Sequence, residues 1–329
     1  MSALHPFIIF LGGLVIIILG AEMLLRSASR VARMLGVSPL VIGLTLVSVG
    51  TSAPELAVGI TAANEGRGAL AVGNIAGTNI LNILFILGLS AALRPLPIGL
   101  ASVRLDVPVM IASAIVLMLM ALDGLLTPTE GLSLLAGALV YTVLLVRGSR
   151  HESARTVAEF DVEFGGTPLP AGRSRAAIYA WQGVLLVAGM ALTVLGADLM
   201  VNGASNIAYA YGVSDAVIGL TIIAIGTSAP ELATTIMATL RNDRDVAIGN
   251  LIGSSIYNIT VILGLTMIAV PAGIDVGPDI LWIDMPLAAL VALICLPVFR
   301  SDHMVTRNEG IAFVLTYVAY LSLLLAFRT

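Results

Sequence analysis

An internal duplication constrains this chain more than any other feature. Residues 43–56 read GLTLVSVGTSAPEL and residues 219–232 read GLTIIAIGTSAPEL, identical at ten of fourteen positions. Residues 73–89, GNIAGTNILNILFILGL, match GNLIGSSIYNITVILGL at 249–265 at ten of seventeen. Both blocks are offset by 176 residues with no net gap. LGAE at 19–22 and LGAD at 195–198 keep that offset, as do GVS at 36–38 and at 212–214. Asp106-Val-Pro108 corresponds more loosely to Asp284-Met-Pro286, at an offset of 178. The chain is two copies of one unit.

Composition says where those units reside. Hydrophobic residues make up 58% of the 329 and charged residues 11%, less than half of the roughly 25% of a soluble domain. That excludes a water-soluble enzyme, a disordered chain and a nucleic-acid binder. A spanning helix takes about 20 apolar residues. Apolar runs at 6–33, 39–63, 69–92, 104–122 and 129–147, then at 177–209, 215–240, 246–269, 279–299 and 309–327, predict five spans per half. The expected fold is an all-α polytopic membrane protein with ten transmembrane helices. The first five-helix repeat covers 1–147 and the second 176–329. The polar stretch 148–175 is a linker too short to be a domain. Residues 6–25 have no basic segment ahead of them and read as part of a spanning helix, not a cleaved signal. The single cysteine, Cys295, excludes an intrachain disulfide.

Five is odd, so the second unit enters from the opposite face and the repeats are inverted. Arginine placement tests this, since basic residues collect on the cytoplasmic side. All 16 basic residues are arginine. With the N-terminus outside, 14 fall at cytoplasmic ends and connections, and only Arg67 and Arg328 fall outside. Both termini are then outside, and the linker is cytoplasmic.

Carboxylates at mid-membrane depth cost about 2.5–3.5 kcal/mol each on the insertion scale. Glu55 and Glu231 sit there at the same place in both copies, with no basic residue in their spans at that depth. Ser48, Thr51, Ser52 and Glu55 are spaced to form one helical stripe; the second copy has Ala224, Thr227, Ser228 and Glu231. Pro54 and Pro230 lack an N–H, so each predicts a kink that frees the carbonyl of Gly50 or Gly226. The next span carries Asn74, Thr78 and Asn82 at four-residue steps, answered by Asn250, Ser254 and Asn258. Interhelical hydrogen bonding accounts equally well for Asn74 and Asn250; the other four read as ligands. Every candidate ligand is a hard oxygen, which disfavours zinc and copper and suits calcium or sodium. Binding at broken helices between inverted repeats is a recurring transporter design.

The two GTSAPEL copies, each followed by a GN-x-x-G-[TS]-x-I-x-N helix, resemble the α-repeats of the sodium/calcium exchangers of the cation/calcium exchanger superfamily. The likeness covers nearly the whole chain and is to the prokaryotic type, without a regulatory domain. It implies an integral protein of the cell (inner) membrane that exchanges sodium for calcium by alternating access. Glu55 and Glu231 would bind calcium and share in sodium binding. Thr51, Ser52, Thr227 and Ser228 would supply hydroxyl or carbonyl oxygens, and Thr78, Asn82, Ser254 and Asn258 would complete the ion sites. The first helix of each half, with Glu22 or Asp198, would belong to a long pair that slides and gates; Glu22 also reads as an i,i+4 partner of Arg26. Asn258, where potassium-dependent members have Asp, leans against potassium co-transport. The implied partners are sodium and calcium ions and the bilayer, with no cofactor, nucleic acid or obligate protein partner. A calcium/proton antiporter remains the alternative, because buried carboxylates can titrate. A membrane enzyme lacks a motif, and a passive channel would need no counter-ion.

Overall fold

The computed structural model describes residues 4–100, 102–163, 175–212, 222 and 224–328. The first half holds α1 (Leu4–Leu35), α2 (Pro39–Thr51), α3 (Ala53–Asn64), α4 (Gly68–Leu93), α5 (Ser102–Asp123) and α6 (Pro128–Glu163). The second holds α7 (Arg175–Ala210), α8 (Ala224–Thr227), α9 (Ala229–Leu240), α10 (Arg244–Ala269), α11 (Ile280–Ser301) and α12 (Arg307–Arg328). Seven of these helices are long and apolar enough to cross a membrane, and α2 with α3 makes an eighth, bent, span. At 22 residues α12 is about 33 Å long, which also reaches across a core of about 30 Å. The span expected at 215–240 is described from Ala224 onward; its start, with the GLT of 219–221 and most of the second GVS, lies outside the described residues. Elsewhere the helix ends fall within about three residues of the apolar runs, except that α6 continues past 147 to Glu163. Residues 164–174 of the expected linker lie outside the described residues.

Two short ladders fix the relation between the halves. Leu96 pairs with Val305 and Pro97 with Met304, antiparallel, so the α4–α5 connection meets the α11–α12 connection. Leu125 pairs with Asp275 and Leu126 with Ile274, so the α5–α6 connection meets the α10–α11 connection. In each case a turn after an odd-numbered span meets one after an even-numbered span of the other copy. Copies inserted the same way up would put these turns on opposite faces. The repeats are inverted.

The two halves also share their helix starts. Thr127 and Glu130 exchange bonds at the head of α6, with the backbone N–H of Thr127 2.8 Å from Glu130 Oε2. Thr306 and Glu309 repeat this at the head of α12, again at 2.8 Å. Each is a capping box that satisfies helix-terminal N–H groups.

The centre of the molecule is α4 and α10, with 78% and 83% of their apolar windows buried against 33% and 28% for α1 and α7. The pair α1 and α7 lies at the periphery and runs antiparallel. Their glycines let the backbones touch: a Cβ on Gly20 would lie 2.6 Å from Thr193 N, and one on Gly196 would lie 2.6 Å from Ile17 N. Small residues at seven-residue spacing make this seam.

Candidate ion-binding site

Each GTSAPEL motif breaks its span. The expected kink is present, as a break at the serine ahead of the proline, and it divides the expected single stripe between two helices. The α2 helix stops at Thr51, Ser52 leaves helical geometry (φ −82°, ψ 12°), and α3 restarts at Ala53, bent by 42°. Ser228 is the same joint between α8 and α9 (φ −89°, ψ 9°). The reason is positional. Pro54 and Pro230 occupy the first turn of the new helix, where a missing N–H costs nothing, so the bend falls at the serine where that helix begins. Ser48 and Thr51 therefore belong to one helix and Glu55 to the next. Glu55 and Glu231 fall in the first turns of α3 and α9, where the helix dipole favours negative charge.

Ser-Ala-Pro-Glu has the spacing of a local capping box, but neither serine caps its own helix. The bonds cross between halves instead. Ser52 Oγ donates to Glu231 Oε1 at 3.0 Å, and Ser228 Oγ donates to Glu55 Oε1 at 3.3 Å. Ser228 Oγ also lies 3.4 Å from Thr78 Oγ1. Both glutamates and both serines are fully buried. The second oxygen of each glutamate, Oε2, is buried without a hydrogen-bond partner, as are Asn82 Oδ1, Ser254 Oγ and Asn258 Oδ1. Buried polar atoms are nearly always paired, so five orphaned oxygens from these two motifs mark a place built for something positive.

All ten expected site residues are described. Glu55, Glu231, Ser52, Ser228 and Thr78 are joined by the contacts above. Thr51, Asn82, Ser254 and Asn258 are buried, and Thr227 is half-buried beside Ser228. Asn82 and Asn258 each stand at the start of a widened, π-type turn, at 81–87 and 258–263, a local form frequent at functional sites. Among the described residues, the ion pairs involve Glu22 and Glu65, and none reaches Glu55 or Glu231. Glu22 binds Arg26 at 2.6 Å as the i,i+4 spacing suggested, and it also pairs with Arg241 beyond the end of α9.

Some of the surroundings are not foreseen from the sequence. Asn79 donates to the Ser255 carbonyl at 3.1 Å and accepts from Asn258 Nδ2 at 3.3 Å, which turns Asn258 Oδ1 away from that contact. Asn79 and Ser255 are polar in both copies at the 176-residue offset, a signal that was available. Asp106 is also buried, accepting from Tyr141 Oη at 2.9 Å, and its counterpart Asp284 accepts from Tyr320 at 3.5 Å. These pairs tie α5 to α6 and α11 to α12.

Two carboxylates with neutral oxygens around them, and no arginine in contact, are suited to hard cations, which take six to eight such ligands as calcium. The described residues contain no cluster of three or more His, Cys, Asp or Glu side chains that would hold a transition metal.

Comparison with known proteins agrees. The profile of the family described as sodium/calcium exchanger protein matches residues 5–147 and 181–326. CaxA of Alkalimonas amylolytica, which carries an antiporter's name, is 38% identical, with 96% of this chain and 98% of CaxA covered. The sodium/calcium exchanger MaX1 of Methanosarcina acetivorans is 33% identical over 97% of this chain and 98% of its own. The solved structure of the sodium-calcium exchanger NCX_Mj soaked with 10 mM Na+ superposes with a TM-score of 0.81 at 27% identity, covering 98% of this chain and 99% of the other. The chain is an integral membrane transporter, not an enzyme, and it belongs to the sodium/calcium exchanger family.

Proposed function

We propose that this protein is a sodium/calcium antiporter working by alternating access, with Glu55, Glu231, Thr51, Ser52, Thr227, Ser228, Thr78, Asn82, Ser254 and Asn258 as its ion ligands. The crossed Ser52–Glu231 and Ser228–Glu55 bonds carry this reading. They bring the two halves to one site and leave one oxygen on each glutamate for the transported ion. Two carboxylates balance one calcium ion or two sodium ions. A site holding two uncompensated charges is too costly to occlude in a low-dielectric interior, so one cargo leaves only as another enters. Threonine, serine and asparagine oxygens around the glutamates favour sodium over a proton as the counter-ion, since a proton needs only one lone pair.

The long antiparallel pair supports the gating part of the reading. Met190 of α7 presses on Gly50, and Val201 of α7 presses on Gly226, the residues just before Thr51 and Thr227. Sliding of that pair is thereby felt at the site in both halves. The proposed setting is a prokaryotic cell membrane with both termini outside and the linker in the cytoplasm, as the 14-to-2 arginine split supports. The proposed units are the repeats 1–147 and 176–329 with the linker 148–175 between them.

Proteoliposomes loaded with sodium test this. An outward sodium gradient drives calcium uptake, and a pH gradient alone does not. The opposite pattern makes the protein a calcium/proton antiporter. Flux with neither gradient makes it a channel.

A further inference from the structure

Asn250 lies on α10 one turn before Ser254 and is fully buried. Its amide nitrogen donates to two hydroxyls of α9, Thr234 Oγ1 at 3.0 Å and Thr235 Oγ1 at 3.1 Å. The proton of Thr234 is already committed, because Thr234 Oγ1 donates to the Pro230 carbonyl at 2.7 Å, with the Glu231 carbonyl as the second acceptor in reach at 3.1 Å. A hydroxyl has one proton. Towards Asn250, therefore, Thr234 can only accept, and the asparagine must present its NH2 group there. That leaves Asn250 Oδ1 facing the other way, 3.3 Å from Thr51 Oγ1.

Thr51 has one proton and three acceptors around it: Asn250 Oδ1 and the Ser48 carbonyl, both at 3.3 Å, and the Glu231 carboxylate. Because Asn250 turns its oxygen and not its NH2 group to Thr51, no donor from Asn250 occupies a Thr51 lone pair, which stays free for a cation. The order runs from the Pro230 carbonyl through Thr234 to Asn250, and it fixes which end of the asparagine amide meets Thr51. Among the described residues the first half shows no such relay. The positions equivalent to Thr234 and Thr235 are Val58 and Gly59, and Asn74 Nδ2, equivalent to Asn250 Nδ2, has no partner among the described residues.

We propose that Thr234 and Thr235 are positioning residues that hold Asn250 in one orientation and so make Thr51 a pre-set acceptor. One flank of the ion site is thereby fixed in advance. The inference rests on the ion-exchange reading above and deepens it.

The test is ion-concentration dependence in proteoliposomes. T234V keeps the shape and removes the hydroxyl; T234S keeps the hydroxyl. T234V is expected to raise the half-saturating concentration of calcium or of sodium about ten-fold, the scale of one unsatisfied buried donor, with maximal rate little changed. T234S is expected to match the parent chain. N250A is expected to raise the same constant, and adding T234V to it to cost nothing more, because both variants break one relay. T234V with unaltered half-saturation for both ions overturns the proposal, as do N250A and T234V effects that multiply. A T234V protein that loses only maximal rate and melting temperature shows a structural role and also overturns it. Failure of the parent chain to exchange sodium for calcium instead overturns the functional reading itself.

Discussion

The turns at 65–67 and 241–243 hold equivalent places in the two halves and carry opposite charges. Glu65-Gly66-Arg67 stands in the first half, and Arg241-Asn242-Asp243 stands in the second. Arg241 reaches Glu22 on α1, and Ser29 of α1 donates to Asp243 at 3.0 Å. At the other turn Glu65 and Arg67 pair with each other, at 3.4 Å. Asp198, the counterpart of Glu22, accepts from Asn202 of its own helix at 3.1 Å. A symmetric tie would set Asp198 against Glu65, carboxylate on carboxylate. GTSAPEL is the same in both halves, and the charges are reversed where α1 and α7 meet the turns. A site served from both faces needs matching halves. Ties at one end only favour the arrangement in which α1 is held.

The sharpest break of the symmetric part is at the glutamates. E55Q and E231Q should each abolish calcium uptake in proteoliposomes while the protein still purifies as a folded species. If one of them transports normally, the halves are not equivalent at the site. The seam comes next. G196L would push a side chain onto the backbone of α1 and should destabilise the protein by about 1–3 kcal/mol as an overpacked contact. G12L, where nothing lies within 4 Å, should leave the melting temperature unchanged, and equal effects would dissolve the seam argument.

Smaller effects test the charged turns. Arg241 and Glu22 are partly exposed, so their tie is worth at most about 1 kcal/mol. R241Q should shift the ratio of half-saturating calcium concentrations on the two faces by no more than about five-fold. E65R, which offers Asp198 a partner, should shift it the other way. Movement of both variants in the same direction would show that the turns do not set the balance. S48A is the mildest change and makes the first half more like the second, which has Ala224 there. It removes a donor lying 2.6 Å from the Gly43 carbonyl and 3.0 Å from that of Asn250, and thermal unfolding should register about 1 kcal/mol.

Much of this was readable in advance, and the unread remainder has a common cause. The offset of 176 and an odd helix count required inversion, and the ladders at Leu96 and Leu125 agree with it. The ten expected site residues came from residues that recur in polar pairs. Proline inside an apolar run predicts a bend but not a full break at Ser52, which depends on the proline's place in the first turn of a new helix. The crossed serine bonds were illegible because Ser-x-x-Glu is locally complete; which glutamate a serine meets depends on how the halves pack. Thr234 and Thr235 were hidden by the duplication itself. Their counterparts are Val58 and Gly59, so a search for repeated polar residues passes over them.

The crossed bonds also set a timetable for synthesis. Glu55 and the serine that meets it are 173 residues apart. At roughly 5–20 residues per second, the ribosome needs about 9 to 35 seconds to make that interval. Glu55 must wait in the nascent first half for that time, whereas Glu231 is made when Ser52 already exists. A chain stalled before Ser228 has a finished first repeat and half a binding site.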